Sequence, residues 1–167
     1  MKEISNGGAI REICRTALWR YMDLCDVPSR VDFSPESIAS LFTPDAQWVG
    51  GGADNEAKFG TTVGAGRIAA MLATHLPPSG SFRSNRHLLD GGAFEAVETR
   101  AGRTQVEVRW LMVRASVLVD GTAETVVSDL CTRFEMQGDR ALIHRYEPVR
   151  RARPTGPEVG DALHRQS

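Results

Sequence analysis

The hydrophobic residues of this 167-residue chain change their spacing once, near the middle, and this change constrains the fold more than any other feature. In the first half they recur every three or four positions, which is typical of amphipathic helices. In the second half they alternate with polar residues, which is typical of half-buried strands. Helices followed by a run of strands predict an α+β domain, with three N-terminal helices packed on a strongly bent antiparallel sheet.

Three helices are predicted in the first half of the chain. The first ends before Val27-Pro28, because the residue that precedes a proline avoids helical backbone. The second begins at Ser34-Pro35-Glu36, a serine N-cap followed by proline and an acid, and ends near Thr43-Pro44. The third ends at Pro77-Pro78. The apolar faces of the first and third helices comprise Ile10, Ile13, Cys14, Ala17, Leu18, Tyr21, Leu24 and Cys25 in one, and Ile68, Met71, Leu72, His75 and Leu76 in the other.

Strands are predicted on both sides of the third helix. A short one at 46–49 comes before it and leads into a glycine-rich polar loop at 50–60. After the third helix, two further strands at 86–89 and 94–99 are joined around Gly91-Gly92.

The longest alternating run predicts where the sheet bends. Hydrophobic residues alternate from Val106 to Met112 and then resume at Ala115, one position out of phase. A slip of this kind predicts a β-bulge, which bends a sheet. Turn signals at Asp120-Gly121 and Gly138-Asp139 separate the next strand from a last one at 141–149.

The overall composition excludes several classes of protein. A net charge of −1 gives no positive field for a nucleic acid partner. No apolar run approaches the ~18 residues that span a bilayer, so we expect a cytoplasmic protein without membrane contact. Three cysteines without CxxC spacing favour buried thiols over a disulfide framework or a zinc site. We expect one domain at 1–150 and a C-terminal tail at 151–167.

A bent sheet that closes over helices leaves a hollow between them. Hollows of this kind, lined by apolar side chains and a few polar groups, are the usual sites for small molecules. The motifs GxxxxGK[ST], GxGxxG, HExxH and GxSxG are absent from the sequence, and no pair of histidines has metal-ligand spacing. The expected ligand is therefore a small, largely apolar molecule, with no metal and no cofactor.

The remaining candidates for chemistry are acid–base side chains. His87 opens a predicted strand and can point into the concave face of the sheet, whereas His75 lies on an apolar helix face and is better explained as a core or interface residue. Tyr21 lies in the apolar stripe of the first helix, so its phenol is either a packed side chain or a hydrogen-bond donor to a ligand. Asp26 falls on the opposite side of that helix, and reaches the hollow only if the helix unwinds near Cys25.

Several short motifs in the chain occur together in one known group of proteins. They are Tyr21 and Asp26 five positions apart, the run from Ser40 to Trp48, Asn85-Arg86-His87-Leu88, Arg109-Trp110 and the Asp120-Gly121 hairpin. This combination resembles the SnoaL-like family of the nuclear transport factor 2-like superfamily, over roughly residues 9–149. The resemblance implies a cone-shaped, cystatin-like α+β barrel that forms homodimers or homotrimers.

The dehydratase branch of that superfamily, with scytalone dehydratase and a bile-acid dehydratase, is the most similar. Its tyrosine, aspartate and histidine correspond to Tyr21, Asp26 and His87. The resemblance therefore implies a cofactor-independent lyase or isomerase that acts on a small hydrophobic cyclic ketone or polyketide-like substrate. The predicted apolar wall of the pocket consists of Trp48, Phe59, Trp110, Met112, Leu130 and Phe134.

Two features of the family pattern are not matched in this chain. A second acid, carried by the bile-acid enzyme after the position of Trp110, would fall near Val113. A second pocket tyrosine near Trp48 is also missing, and Tyr146 is the only other tyrosine. These departures favour an alternative hypothesis, a non-catalytic ligand-binding protein or a structural subunit that resembles the small subunit of a ring-hydroxylating dioxygenase.

A third hypothesis, epoxide hydrolysis, requires paired acids that bracket an arginine inside the cavity. Asp129 and Arg133 have suitable chemistry for this role. The strand phase, however, predicts that both lie on the solvent side of the sheet.

Overall fold

The structure is a computed structural model that describes residues 3–28, 34–52, 59–77, 80–100 and 102–151. Three helices and six strands lie within this part of the chain. The helices are α1 (Glu3–Cys25), α2 (Pro35–Ala39) and α3 (Ala65–Ala73). The strands are β1 (Phe42–Val49), β2 (Thr61–Val63), β3 (Phe82–Arg100), β4 (Arg103–Leu118), β5 (Ala123–Gln137) and β6 (Arg140–Arg150).

The six strands form one mixed sheet in the order β2-β1-β6-β5-β4-β3. Strands β3 to β6 are an antiparallel meander, and β2 is antiparallel to β1. Strand β1 runs parallel to β6, with Trp48 opposite Tyr146. The α+β class predicted from the sequence is confirmed, whereas the prediction of a purely antiparallel sheet is wrong, because β1 comes from the helical half of the chain and enters alongside the last strand.

Helix α1 lies across one face of the sheet. It contacts both β6 and β3, which are separated by β5 and β4. Three strand spacings of ~4.8 Å place β6 and β3 about 14 Å apart, and a helix of 23 residues is long enough to cross that distance. The hydrophobic core lies between α1 and this inner face of the sheet.

The core confirms the predicted helical stripe. Cys14, Leu18 and Tyr21 of that stripe are buried, together with Met22, which the predicted stripe did not include. They pack with Ile68 of α3 and with buried side chains of β4, β5 and β6. The predicted inward residues of β5, from Val126 to Phe134 at every second position, are also buried. Removing this much apolar surface from water is the main stabilising contribution to such a fold.

The long strands differ from the prediction in where the irregularities lie. Strand β4 keeps one register with β5 along its whole length, and Ser116 is buried while Ala115 is exposed, so the predicted bulge in β4 is absent. The register shifts lie instead between β3 and β4 and between β5 and β6. The two short strands predicted around Gly91-Gly92 are one strand, because positive φ angles at both glycines bend it without ending it.

Gly92 is required by its close contact with a core side chain. A Cβ atom at this position would lie 2.6 Å from the ring of Trp110, which no side chain could accept. The indole therefore packs directly against the backbone of β3.

The chain turns mostly where the sequence predicts. The Asp120-Gly121 hairpin joins β4 to β5, and Gly138-Asp139 joins β5 to β6. The Oγ of Ser34 accepts a hydrogen bond from the backbone N–H of Ser37, which is the predicted N-cap of α2. That helix ends at Ala39, before the predicted Thr43-Pro44, because Phe42 to Val49 belong to β1.

No helix in the described part of the chain is long and apolar enough to cross a membrane. Most of the predicted loop at 50–60, from 53 to 58, and most of the tail, from 152 to 167, lie outside the described residues.

Candidate active site

The end of α1 delivers Asp26 to the sheet. The backbone N–H of Asp26 donates to the carbonyl of Met22 at 2.8 Å, which completes the last helical turn. The next residue, Val27, is already extended and forms a two-way backbone bridge to Asn85 of β3, with N···O distances of 2.9 and 3.0 Å. The helix thus ends at Cys25, as the hypothesis of an inward-facing carboxylate required.

Asn85 fixes this junction with its side chain as well. Its Nδ2 donates to the carbonyl of Cys25 at 3.2 Å, and its Oδ1 accepts from the hydroxyl of Ser116 at 2.8 Å. Both side chains are buried. A buried amide that satisfies its partners in this way holds the helix end, β3 and β4 in one arrangement.

Asp26 and His87 are in direct contact. Oδ1 of Asp26 accepts from the backbone N–H of His87 at 3.0 Å and lies 2.8 Å from its Nδ1. Oδ2 accepts from Arg86 at 3.2 Å. The carboxylate is 6 % exposed and the imidazole 10 %, so both groups are largely withdrawn from water.

The contacts of Asp26 determine its charge and the tautomer of His87. Burial alone would raise the pKa of Asp26, but the hydrogen bonds and charge of His87, with the hydrogen bond of Arg86, outweigh burial and hold this pKa below its ordinary value of 3.8. The ionised carboxylate can only accept hydrogen bonds, so Nδ1 of His87 carries the hydrogen. In the neutral imidazole, Nε2 then has the free electron pair that a base requires.

Tyr21 lies in the same pocket among aromatic and sulfur groups. Its hydroxyl accepts from Nε1 of Trp48 at 3.1 Å, and its ring centroid is 4.9 Å from that of Tyr146. Burial, and then the nearby Cys25 and Tyr146, raise the pKa of Tyr21 well above its ordinary value. The phenol therefore stays un-ionised and keeps a hydrogen that it can donate.

Cys25 has no reactive character in this setting. Burial, its largest influence, raises the pKa of the thiol to about 12. Thiols react as thiolates, so a group with this pKa is inert at physiological pH. The prediction of a buried, unreactive cysteine agrees with this environment.

The pocket has a volume of about 210 Å³ and lies between the helices and the inner face of the sheet. Tyr21 and His87 line it, and Asp26 stands behind His87. Of the predicted apolar wall, Trp48, Phe59 and Met112 line the pocket. His75 also lines it, with its ring centroid 5.3 Å from that of Phe59, whereas the sequence favoured a core or interface position.

Three members of the predicted wall are core residues instead. Trp110, Leu130 and Phe134 are 0–2 % exposed and lie outside the lining of the pocket. Nε1 of Trp110 donates to Thr132 at 2.9 Å, deep between β4 and β5. The strand phase correctly placed these side chains on the inner face, but it could not show that the pocket occupies only one end of the sheet.

Tyr146 supplies the second pocket tyrosine that the sequence pattern lacked. It is far from Trp48 in the chain, but the parallel pairing of β1 and β6 places the two residues side by side, with ring centroids 5.7 Å apart. Its hydroxyl donates to the sulfur of Met112 at 3.5 Å. Only knowledge of this parallel pairing could have identified Tyr146 in advance.

Arg114, Glu124 and Arg150 also line the pocket and were not predicted. No acid occupies position 113, but Glu124 brings a carboxylate to the pocket from β5. The alternation that begins at Val106 would have pointed Arg114 inward, had it been continued without a slip.

The residues of the epoxide hydrolysis hypothesis lie outside the pocket. Asp129 accepts two hydrogen bonds from Arg151, at 2.6 and 2.9 Å, and Arg133 donates to Glu107 at 2.8 Å. All four belong to partly exposed ion pairs. The acids and the arginine of that mechanism are therefore not assembled at this site.

Comparison with known proteins gives the fold a family context. Neither a protein-family model nor a curated protein matches the chain. Solved structures do match it: a hexachlorocyclohexane dehydrochlorinase, LinA type 2, has 14 % identity and a TM-score of 0.66, with 86 % of each chain covered. A protein assigned as a scytalone dehydratase from Novosphingobium aromaticivorans has 12 % identity and a TM-score of 0.64, with 84 % of this chain and 83 % of the other covered.

A third similar structure is named as a subunit of an enzyme and not as an enzyme itself. It is the beta subunit of a protein assigned as an aromatic-ring-hydroxylating dioxygenase, also from Novosphingobium aromaticivorans. It has 16 % identity and a TM-score of 0.64, with 90 % of this chain and 94 % of the other covered. These structures have the nuclear transport factor 2-like fold, so the chain has that fold and the predicted resemblance is confirmed at the level of the fold. Identities this low establish the fold and leave the activity to the residues of the site.

Proposed function

We propose that the chain is a cofactor-independent lyase or isomerase, dehydratase-like, that acts on a small hydrophobic cyclic ketone or polyketide-like molecule. The observation that carries this proposal is the 2.8 Å contact between Asp26 and Nδ1 of His87 beside an aromatic pocket. Lyase-type enzymes among the similar structures support it.

In the proposed reaction, Nε2 of His87 removes a proton from the carbon next to the substrate carbonyl. The electron pair of that C–H bond forms a C=C bond while the π pair of the carbonyl moves to its oxygen. The resulting enolate accepts a hydrogen bond from the hydroxyl of Tyr21. The ionised Asp26 stabilises the imidazolium that results. A β-hydroxyl then leaves as water with the proton from His87, or the enolate is reprotonated at another carbon.

The first half of this reaction can be tested without knowledge of the natural substrate. Incubation of the protein in D₂O with a panel of cyclic ketones and β-hydroxyketones should exchange the α-hydrogens, as followed by NMR. A positioned base contributes ~10²–10⁴-fold, so His87→Gln should lower the exchange rate by about that factor. His144→Gln is the matched control, since His144 bonds to Thr43 outside the pocket.

Two results would overturn the proposal. One is an absence of exchange across the whole panel while the ketones bind. The other is equal exchange by wild type and His87→Gln, which would place the base elsewhere.

A structural subunit is the second candidate, and the dioxygenase beta subunit among the similar structures favours it. Such a subunit would carry no chemistry of its own, and substitution of His87 would change neither ligand affinity nor the phenotype of cells. Stable co-purification with a Rieske-type large subunit would support this alternative. The buried Asp26–His87 pair favours the enzyme, because a purely structural role does not require an imidazole held in one tautomer at a pocket.

A further inference from the structure

Arg114 lies beside the proposed base. On the sheet, it is directly opposite His87 of β3 on one side and Val126 of β5 on the other. All three side chains line the pocket. A guanidinium is always charged at physiological pH, so a permanent positive charge adjoins His87 on the inner face of the sheet.

The charge of Arg114 is only partly balanced. Its Nη2 donates to Glu124 at 2.7 Å, and Glu124 also accepts from Arg150 at 3.4 Å. All three side chains line the pocket, with exposed fractions of 23 %, 27 % and 32 %. Two positive charges and one negative charge leave this cluster with one unit of positive charge in a partly dehydrated place.

One hydrogen of the guanidinium has no acceptor. Nε of Arg114 is buried and has no hydrogen-bond partner within the described part of the chain. Buried donors are nearly always paired in native proteins, so an orphan beside a pocket calls for an explanation such as a ligand. The guanidinium carbon lies 5.3 Å from the ring centroid of Phe82, a contact that orients its plane.

We propose that the pocket binds a small molecule that carries a carboxylate, and that Nε–H of Arg114 donates to that carboxylate. The group must be compact, since the pocket has only about 210 Å³, and singly charged, since the cluster has one unbalanced positive charge. A carboxylate meets both conditions and accepts hydrogen bonds from a guanidinium in one plane. The apolar remainder of the ligand contacts Trp48, Phe59 and Met112.

This inference deepens the proposed function, because it turns the substrate from a neutral cyclic ketone into a cyclic keto acid. The identification of the ligand as a substrate rests on the proposed function. The cluster of Arg114, Glu124 and Arg150 is called the anion site below. This site requires only the geometry of these three residues.

The experiment compares the affinities of two matched probes, 3-oxocyclohexanecarboxylate and its methyl ester, by calorimetry. Loss of a charge-assisted hydrogen bond costs about tenfold or more in affinity, so the wild-type protein should bind the acid at least about tenfold more tightly than the ester. Arg114→Gln should bind both probes equally. Arg133→Gln is the matched control, since its ion pair with Glu107 lies outside the pocket, and it should keep the preference.

Two further variants separate the possible causes of a result. Arg150→Gln lowers the charge of the cluster without removing the orphan N–H, and should reduce the preference only in part. His87→Gln should keep the full preference while α-hydrogen exchange falls. A preference without any exchange would therefore overturn the enzyme and leave the anion site intact.

The outcomes against the anion site are equally specific. Equal binding of acid and ester by the wild-type protein, or no binding of either, overturns it. A preference that survives in folded Arg114→Gln, with the fold checked by circular dichroism, shows that another group recognises the carboxylate.

Discussion

On the β3 side of the pocket the carboxylate of Asp26 accepts three hydrogen bonds, whereas on the β4 side a buried N–H of Arg114 finds no acceptor among the described residues. Both groups are charged, but Arg114 lines the pocket itself, whereas Asp26 stands behind the lining residue His87. The first is satisfied by the protein alone, and the second is satisfied only in part. This difference separates a group that the fold has already oriented for chemistry from a group that is completed by a ligand.

The largest effect on activity should follow from a substitution of Asp26, whose carboxylate accepts three hydrogen bonds within the protein. Asp26→Asn keeps the shape of the side chain but removes the charge that fixes His87 with hydrogen on Nδ1. The rate of α-hydrogen exchange should fall by ~10²–10⁴, similar to the loss of the base itself. Deuterium incorporation measured by NMR provides the test, with Asp129→Asn as a control on a partly exposed ion pair. Unchanged exchange would show that the carboxylate does not support the imidazole.

Removal of the Asp26 side chain should also lower the stability of the fold strongly. Asp26→Ala leaves the backbone N–H and Nδ1–H of His87 without their acceptor in a largely buried place, and losses of this kind cost ~3 kcal/mol. Arg86 is 40 % exposed and regains water, so it adds little. Urea unfolding followed by circular dichroism measures the difference. A cost as small as that of Asp129→Ala would contradict the role assigned to this junction.

Asn85→Ala should cost less, ~1–3 kcal/mol, since it leaves the carbonyl of Cys25 and the hydroxyl of Ser116 without a partner in a buried place. It should also lower α-hydrogen exchange, because the end of α1 would no longer hold Asp26 in one position. Asn85→Asp, which retains an acceptor for Ser116, is the comparison variant. A loss of stability with full exchange would show that Asn85 supports the fold only.

The pH dependence of stability should also originate at Asp26. Its folded pKa lies below the ordinary value of 3.8, so the unfolded chain binds a proton more readily than the folded one. The stabilisation is therefore fully present above about pH 4 and is lost as pH falls through the lower, folded pKa. Unfolding free energies measured at pH 6 and pH 3 should differ more for the wild type than for Asp26→Asn. Equal differences would show that other carboxylates dominate acid unfolding.

Local patterns in the sequence predicted the parts of the site that depend on neighbouring residues. The stripe of α1 placed Tyr21 inside, and the turn signals delimited β5 correctly. The sequence could predict an inward-facing Asp26 only on the condition that α1 ends near Cys25, because the direction of this side chain depends on where the helix ends. Its contact with His87, 61 residues away, depends on the bridge from Val27 to Asn85, which no local pattern encodes.

The pocket residues that the sequence analysis missed have two different causes. Tyr146 reaches Trp48 only through the parallel pairing of β1 and β6, which joins the two halves of the chain. The sequence analysis missed Arg114 for a different reason, a misjudged strand phase. The hydrophobic residues Ala115, Val117 and Val119 suggested a change of phase, but they lie on the outer face of the sheet, where Val119 is 60 % exposed. Exposed apolar residues beside an edge strand can thus produce the same sequence pattern as a bulge. A charged residue that points inward is then wrongly assigned to the outer face.

The smallest effect should come from a substitution of Arg114, and the quantity measured is the free energy of unfolding. Arg114→Gln removes an ion pair that is about one quarter exposed, and Glu124 keeps its contact with Arg150. It also removes an unsatisfied buried donor, which offsets part of the loss. Without ligand, the free energy of unfolding should therefore change by less than ~1 kcal/mol, well below the change for Asp26→Ala. Thermal unfolding of both variants side by side tests this contrast, and an equal cost would mean that Arg114 is as fully satisfied as Asp26 and awaits no ligand.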